Sequence, residues 1–189
     1  MKAWVDRKLF IHNLGHAASA FIGYLYNPGF IYIYEALAVT QVFDQVIAAM
    51  LQSAGILRKK YPGEFTPEDL NDHINDLLSR FRNKALGDTI FRVGCDLRRK
   101  LGPEDRLAGA IRSALEYDIP YDKILYALVC GCHFKAKDQE GNMLKEDIEF
   151  FTHYENDVKS ILTEICGFNE IQNQQLFREA ENIQKRLTS

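Results

Sequence analysis

The sequence predicts an all-α, multi-helical domain, and three observations carry that prediction. Apolar residues recur three or four apart through most of the chain, as in Leu14, Ala18, Phe21, Ile22 and Leu25, the spacing of a helix that buries one face. Proline and glycine gather in short breaks: Asn27-Pro28-Gly29, Tyr61-Pro62-Gly63, Gly102-Pro103 and Asp118-Ile119-Pro120. No stretch gives a strong strand signal. The chain has 189 residues, 47% of them hydrophobic and 26% charged. That is ordinary for a globular protein, and a domain of this size hides roughly 70% of its unfolded surface.

The elements follow in order. Apolar positions from Trp4 to Leu25 predict a helix from Trp4 to about Tyr26, ended by the Asn27-Pro28-Gly29 turn. A second helix is expected over Ile33–Leu57. Thr66-Pro67-Glu68-Asp69 reads as an N-cap, a proline in the first turn and acids at the positive end of the helix dipole, opening a helix to about Arg82. Leu86 to Lys100 is less periodic, a helix-and-loop segment. Helices then run from Arg106 to Glu116 and from Tyr121 to Phe134. The polar run 135–142 reads as a surface loop. Two amphipathic segments, Glu146 to Ile165 and Glu170 to Leu187, complete a single domain over 1–189. No internal repeat or low-complexity tract is present.

Charge and motifs exclude several classes. The net charge is −3, without the basic excess of a duplex-binding domain, so nucleic acid is not an expected partner. No apolar run reaches the ~20 residues of a membrane span. Asp6, Arg7 and Lys8 stand where a signal peptide would be apolar, so a cytoplasmic location is expected. The four cysteines, Cys95, Cys130, Cys132 and Cys166, include only one close pair, spaced C-x-C. They read as reduced, mostly buried thiols rather than a zinc or redox motif. No two glycines stand two apart, so G-x-G-x-x-G is absent, as is G-x-x-x-x-G-K-[ST]. No metal is expected, since His12 and His16 alone do not make a site.

The most informative stretch is Arg7-Lys8-Leu9-Phe10-Ile11-His12-Asn13-Leu14-Gly15-His16-Ala17. At about 100° per residue, with Lys8 at zero, His12 falls near 40°, His16 near 80° and Asn13 near 140°. Four hydrogen-bonding side chains then share one side of an otherwise apolar helix. Such a cluster is a solvated stripe or a chemical face. A second cluster is cationic: residues 80–106 hold eight basic side chains against four acids, +4 locally on an acidic protein. A patch of that size suits a small anion or a solvated face with internal Asp–Arg pairs.

Lys8-x4-Asn13-x2-His16 resembles the signature of the polyol-specific long-chain dehydrogenases, the mannitol dehydrogenase family. Within it the chain is most similar to the branch acting on mannitol 1-phosphate. The resemblance continues in Ala20-Phe21-Ile22-Gly23-Tyr24-Leu25, Arg80-Phe81-Arg82-Asn83, Asp88-Thr89-Ile90-Phe91-Arg92-Val93-Gly94, Arg99-Lys100-Leu101 and Asp105-Arg106-Leu107. It covers residues 3 to 135 in blocks, and the tail fits by length and helicity.

The resemblance implies the helical C-terminal domain of a 6-phosphogluconate-dehydrogenase-like architecture. The N-terminal Rossmann domain that holds NAD is then a partner outside this chain, and the chain is a fragment. It implies Lys8 as general acid/base, with Asn13 and His16 holding the substrate oxygen. Arg92 and Lys100, eight apart, would hold substrate hydroxyls. Arg98, Arg99 and Arg106 are the phosphate candidates. The implied reaction interconverts mannitol 1-phosphate and fructose 6-phosphate. Free mannitol as substrate, or a helical interaction module without activity of its own, stand as alternatives. Lys8 is expected to be buried, so that desolvation lowers its pKa. An exposed domain interface is expected to promote self-association. His12 is expected in a supporting role, and His73, His133 and His153 outside any constellation.

Overall fold

A computed structural model of the chain describes residues 1–188, and Ser189 of the expected domain lies outside them. The fold is all-helical. Among the described residues the one cross-strand pairing is an isolated bridge between Tyr32 and Thr89. Among the described residues no helix is long and apolar enough to cross a membrane.

The chain opens with one continuous rod over residues 2–26. Its pieces are helix α1 (Lys2–Arg7), a π-helical stretch (Lys8–Asn13) and helix α2 (Leu14–Tyr26). A π turn bonds i to i+5 and so turns less per residue than an α turn. The regular wheel set Lys8 and Asn13 far apart, and the widened turn brings these residues, five apart, toward one face. Neighbouring elements hold its backbone. Ser53 of helix α4 (Thr40–Lys60) donates its hydroxyl to the Phe10 carbonyl at 2.5 Å, and Arg106 Nη1 reaches the Asn13 carbonyl at 3.5 Å. Below it, Tyr61 Oη donates to Asp6 Oδ2 at 2.5 Å, and Lys60 Nζ stands 3.0 Å from the same oxygen.

Helix α2 is the centre of the molecule. It is apolar all round, and nine of its residues between Leu14 and Gly23 are buried, as a core helix requires. It packs against α4, α6 (Ile90–Gly94) and α9 (Asp122–Cys132). Close approach fixes two glycines. A Cβ on Gly15 would lie 2.6 Å from Met50 Sδ, and one on Gly94 would lie 2.1 Å from Phe134 Cζ. Phe134 in turn meets Phe21 edge-on at 5.1 Å. Each such fully buried aromatic contributes about 1.5–3 kcal/mol relative to an exposed one.

Two elements deliver side chains to the open side of the rod. Helix α5 (Pro67–Phe81) starts at a capping box between Thr66 and Asp69 and buries Leu70, Ile74, Leu77, Leu78 and Phe81 along one stripe. After it, a 3-10 turn (Lys84–Leu86) leads into α6. The start of α6 is tied down from both sides, since Ile33 N–H donates to the Asp88 carbonyl at 2.9 Å and Ile90 N–H to the Ile31 carbonyl at 2.8 Å. Helix α7 (Leu97–Lys100) is capped by the buried Asp147 carboxylate, which accepts Asp96 N–H and Leu97 N–H at 2.9 and 2.8 Å.

Besides the widened turn, the structure departs from the periodicity at two further places. The expected helix over 33–57 is two, α3 (Ile33–Ala36) and α4. Glu35 accepts both Ile31 N–H and Tyr32 N–H, and the Tyr32–Thr89 bridge anchors this segment, so α3 is a local cap rather than the start of α4. The expected helix over 146–165 breaks between α10 (Lys145–Tyr154) and α11 (Val158–Ser160), the latter running on into a π-helical stretch (Ile161–Ile165). Asn156 takes a left-handed conformation there, φ 57°, which an α-helix does not accommodate and asparagine tolerates. Helices α8 (Ala108–Glu116) and α12 (Gln174–Leu187) lie where expected, with shorter N-termini.

Candidate active site on the widened turn

The rod and α5 bring His12 and His16 against Phe81, with Lys8 and Asn13 at the two ends of the π-helical stretch that carries His12. The His16 ring lies flat on Phe81, centroids 4.7 Å apart and planes within 7°. His12 sits 5.7 Å from the same ring and 6.1 Å from His16. On the other side His16 Nε2 stands 3.1 Å from Asp88 Oδ2, while Arg92 Nη2 contacts Asp88 Oδ1. The Nε2 contact is close but not aligned as a hydrogen bond, and this buried nitrogen has no hydrogen-bond partner. The Asn13 side-chain amide makes no hydrogen bond among the described residues and is half-buried.

Electrostatics follow from burial and from a ring of cations. Burial first, then the charges of His12, Arg92, Arg106 and Lys100, push His16 down to about 4. The ring is therefore neutral at neutral pH. His12 is also held below its ordinary value, by burial and then by Arg80, Lys8 and Arg106. His73 on α5 is lowered mainly by burial, and next by Arg7 and His12.

Lys8 is exposed rather than buried. Among the described residues nothing covers it: Trp4, one turn earlier, is 53% exposed, and Val5 is 60% exposed. Hollows of several hundred Å3 lie elsewhere on the molecule. One, about 780 Å3, is lined by Tyr24, Phe30, Ile31, Thr89, Phe91 and Lys135 among others. Lys8 is thus open to solvent, while Asn13 and His16 are part-buried.

The second expected pair divides. Arg92 is exposed and its guanidinium is on Asp88. Lys100 is only 6% exposed, and its ammonium donates to the carbonyls of Val93, at 2.7 Å, and Cys95. Burial pushes it down to about 8. The phosphate candidates divide too. Arg106 lies at the site, its Nε on Asp105 at 2.7 Å and its Nη1 toward Asn13. Arg99 is tied to Asp96 at 2.5 Å, and Arg98 lies over the Tyr154 ring at 5.8 Å. Both therefore sit away from the histidines, because α7 turns them outward while it turns Lys100 in. Much of the cationic excess in 80–106 is internally compensated in this way.

Sequence reasoning missed Phe81, Asp88, Arg80 and Ser53. The first three lie within blocks that carried the resemblance, which was the available signal. Ser53 had none. Among the described residues, no three or more His, Cys, Asp or Glu side chains converge as a metal-ligand set.

The family model described as the mannitol dehydrogenase C-terminal domain matches residues 1–188. A mannitol-1-phosphate 5-dehydrogenase of Buchnera aphidicola subsp. Baizongia pistaciae (strain Bp) is 34% identical over 149 residues, 78% of this chain and 37% of that protein. Among solved structures, the Pseudomonas fluorescens mannitol 2-dehydrogenase ternary complex with NAD and D-mannitol aligns with a TM-score of 0.77 at 18% identity. That alignment covers 99% of this chain and 38% of the other. A D-sorbitol dehydrogenase in substrate-free form gives a TM-score of 0.72 at 19% identity, over 100% of this chain and 39% of the other. These two likenesses show the fold. The chain spans less than two-fifths of the length of each of these proteins.

Proposed function

The chain belongs to the mannitol dehydrogenase C-terminal domain family, and from that premise we propose that it is the substrate-binding and catalytic domain of an NAD-dependent polyol dehydrogenase acting on mannitol 1-phosphate. The observation that supports this most is the π-helical stretch Lys8–Asn13, a widening that recurs at functional sites and here runs between Lys8 and Asn13, with His16 just beyond it. The 34% identical relative supports the phosphorylated substrate.

The chain's own residues divide the work. Lys8, as the free amine, takes the proton of the reacting hydroxyl and returns it in the reverse direction. This needs desolvation of its ammonium, which a second wall over the exposed face around Trp4, Val5 and Lys8 provides. Asn13 donates an amide N–H to the reacting oxygen, as a preorganised donor for developing alkoxide charge. His16, neutral, makes a further contact to substrate. Arg92 holds a hydroxyl, and Lys100 has a third N–H to offer beyond its two carbonyls. Arg106 is the phosphate grip. Arg98 and Arg99 take that role only by leaving the partners they have.

When bound, NAD supplies the hydride acceptor. The glycines of this chain form no phosphate cradle for it, so the proposal assigns NAD and the covering wall to an N-terminal nucleotide-binding domain outside the chain. The test is the activity of the enzyme assembled with that domain. Oxidation of mannitol 1-phosphate well ahead of mannitol is expected, and equal rates on both, or a preference for free mannitol, would overturn the phosphate assignment. The structural likeness to mannitol 2-dehydrogenase makes free mannitol the second reading.

A further inference from the structure

Asp88 touches two of the residues assigned to substrate. One carboxylate oxygen lies 3.1 Å from His16 Nε2 and the other on Arg92 Nη2. Its own position is fixed by main chain: its carbonyl accepts Ile33 N–H, and the next residues pair with the 31–33 segment. Thr89 Oγ1 accepts Arg92 N–H at 3.2 Å, so the arginine starts from the same anchored turn. Phe81 backs the flat face of His16 and prevents the ring from tipping away. The ionisable groups whose charge bears on this ring are His12, Arg92, Arg106 and Lys100 on the basic side and Asp88 as the carboxylate in contact.

We propose that Asp88 is a positioning residue that sets the tautomer of His16: its carboxylate accepts the Nε2–H and leaves Nδ1 as the acceptor offered to substrate. The reason is elementary. A bare nitrogen lone pair against a carboxylate is repulsive, so the nitrogen facing Asp88 carries the proton. A neutral imidazole has one N–H, and the partner of one nitrogen decides the role of the other. A small rotation of the ring between Phe81 and Asp88 completes the alignment, as catalytic hydrogen bonds commonly tighten only with substrate bound.

The assignment rests on the polyol reading and deepens it. Nδ1 as acceptor does not stabilise an alkoxide, so that task stays with the Asn13 amide. His16 instead accepts from a neighbouring hydroxyl, a group that a polyol always offers next to the reacting carbon. The same carboxylate holds Arg92, so one residue sets the spacing between two hydroxyl contacts.

The experiment is nitrogen NMR of the 189-residue chain with labelled histidine, with His16→Gln identifying the His16 signals. At neutral pH the wild-type ring is expected to show a protonated Nε2 and an unprotonated Nδ1. In Asp88→Asn the amide donates to Nε2 instead, and the proton moves to Nδ1. A wild-type ring protonated on Nδ1, or the same tautomer in both proteins, would overturn the proposal. Where Asp88→Asn does not fold, the wild-type spectrum alone decides. Asp88→Glu, which keeps the acceptor, is expected to keep the wild-type tautomer.

In the enzyme assembled with its nucleotide-binding domain, Asp88→Asn raises KM for the polyol about tenfold or more, with the Lys8-dependent limb of the pH profile unmoved. An unchanged KM would remove the proposed link to substrate. An enzyme inactive on every polyol, with the NMR result intact, would instead sink the polyol reading and leave the tautomer assignment standing.

Discussion

Lys8 is the proposed base and Lys100 a proposed donor to substrate, and the fold treats the two lysines in opposite ways. Lys8 sits on the outer face of the rod, exposed and without an ion pair among the described residues. Lys100 ends a four-residue helix that turns it inward, 6% exposed, onto two backbone carbonyls. A base in this chemistry needs a lowered pKa, yet the lysine that burial already lowers has two of its three donors committed to backbone carbonyls. The proposed base is therefore incomplete in this chain, and its activation depends on what covers it. The buried lysine is a fixed donor whose cost is borne by the fold.

The largest expected effect separates the two by activity. In the enzyme assembled with its nucleotide-binding domain, Lys8→Ala lowers turnover by ~10²–10⁴-fold, while the unfolding free energy of the chain stays within about 0.5 kcal/mol of wild type, as for an exposed residue without partners. A loss under tenfold in steady-state turnover would end the base assignment.

Next comes stability against pH. Lys100 is pushed down to about 8 in the fold, below its ordinary value in the unfolded chain. The unfolded chain therefore binds more protons between those values, and this group's contribution to stability rises with pH from about 8 to about 10.5, by up to about 3 kcal/mol. Urea unfolding across that window, compared with Lys100→Met, is expected to show the slope in the wild type and its loss in the variant. A slope shared by both proteins would place its origin elsewhere.

His16 gives the acid counterpart. It is held near 4, so as pH falls from about 6.5 to 4 the unfolded chain takes up a proton that the fold refuses. Stability drops by up to about 3 kcal/mol over that range, and His16→Gln flattens the drop. Acid unfolding followed by circular dichroism checks it.

The smallest expected effect concerns the turn itself. Ser53→Ala leaves the Phe10 carbonyl without its hydroxyl partner and costs about 1–3 kcal/mol. It also loosens the presentation of Lys8 and Asn13, so kcat falls more than KM rises. Unchanged hydrogen exchange at residues 8–14 would show that the hydroxyl does not hold the turn.

Much of the helical frame was legible. Leu14, Phe21 and Ile22 repeat at helical spacing and are buried, and Thr66-Pro67 does begin α5. The break at 155–157 was not, since one asparagine in a left-handed conformation outweighs an apolar pattern that continues on both sides. The site was legible as residue types in one short motif. Its geometry was not, because a regular wheel cannot show a π turn. The five-residue step from Lys8 to Asn13 was the one local hint of it. Phe81 and Asp88 reach His16 only through packing across roughly seventy positions of chain, which no local pattern records. The burial of Lys100 follows from the inward turn of α7, set by Asp147 some fifty residues on.

A π turn amounts to one residue inserted into an α-helix. Deleting a single residue between Lys8 and Asn13 would restore a regular helix without breaking it, but would swing everything upstream by about 100°. Asp6 would leave Tyr61, and Trp4 would leave the ring of Phe65 that it now meets edge-on at 5.5 Å. The molecule would keep its helix content and lose its front end, so a one-codon gap here is a sharper lesion than most point changes in the core.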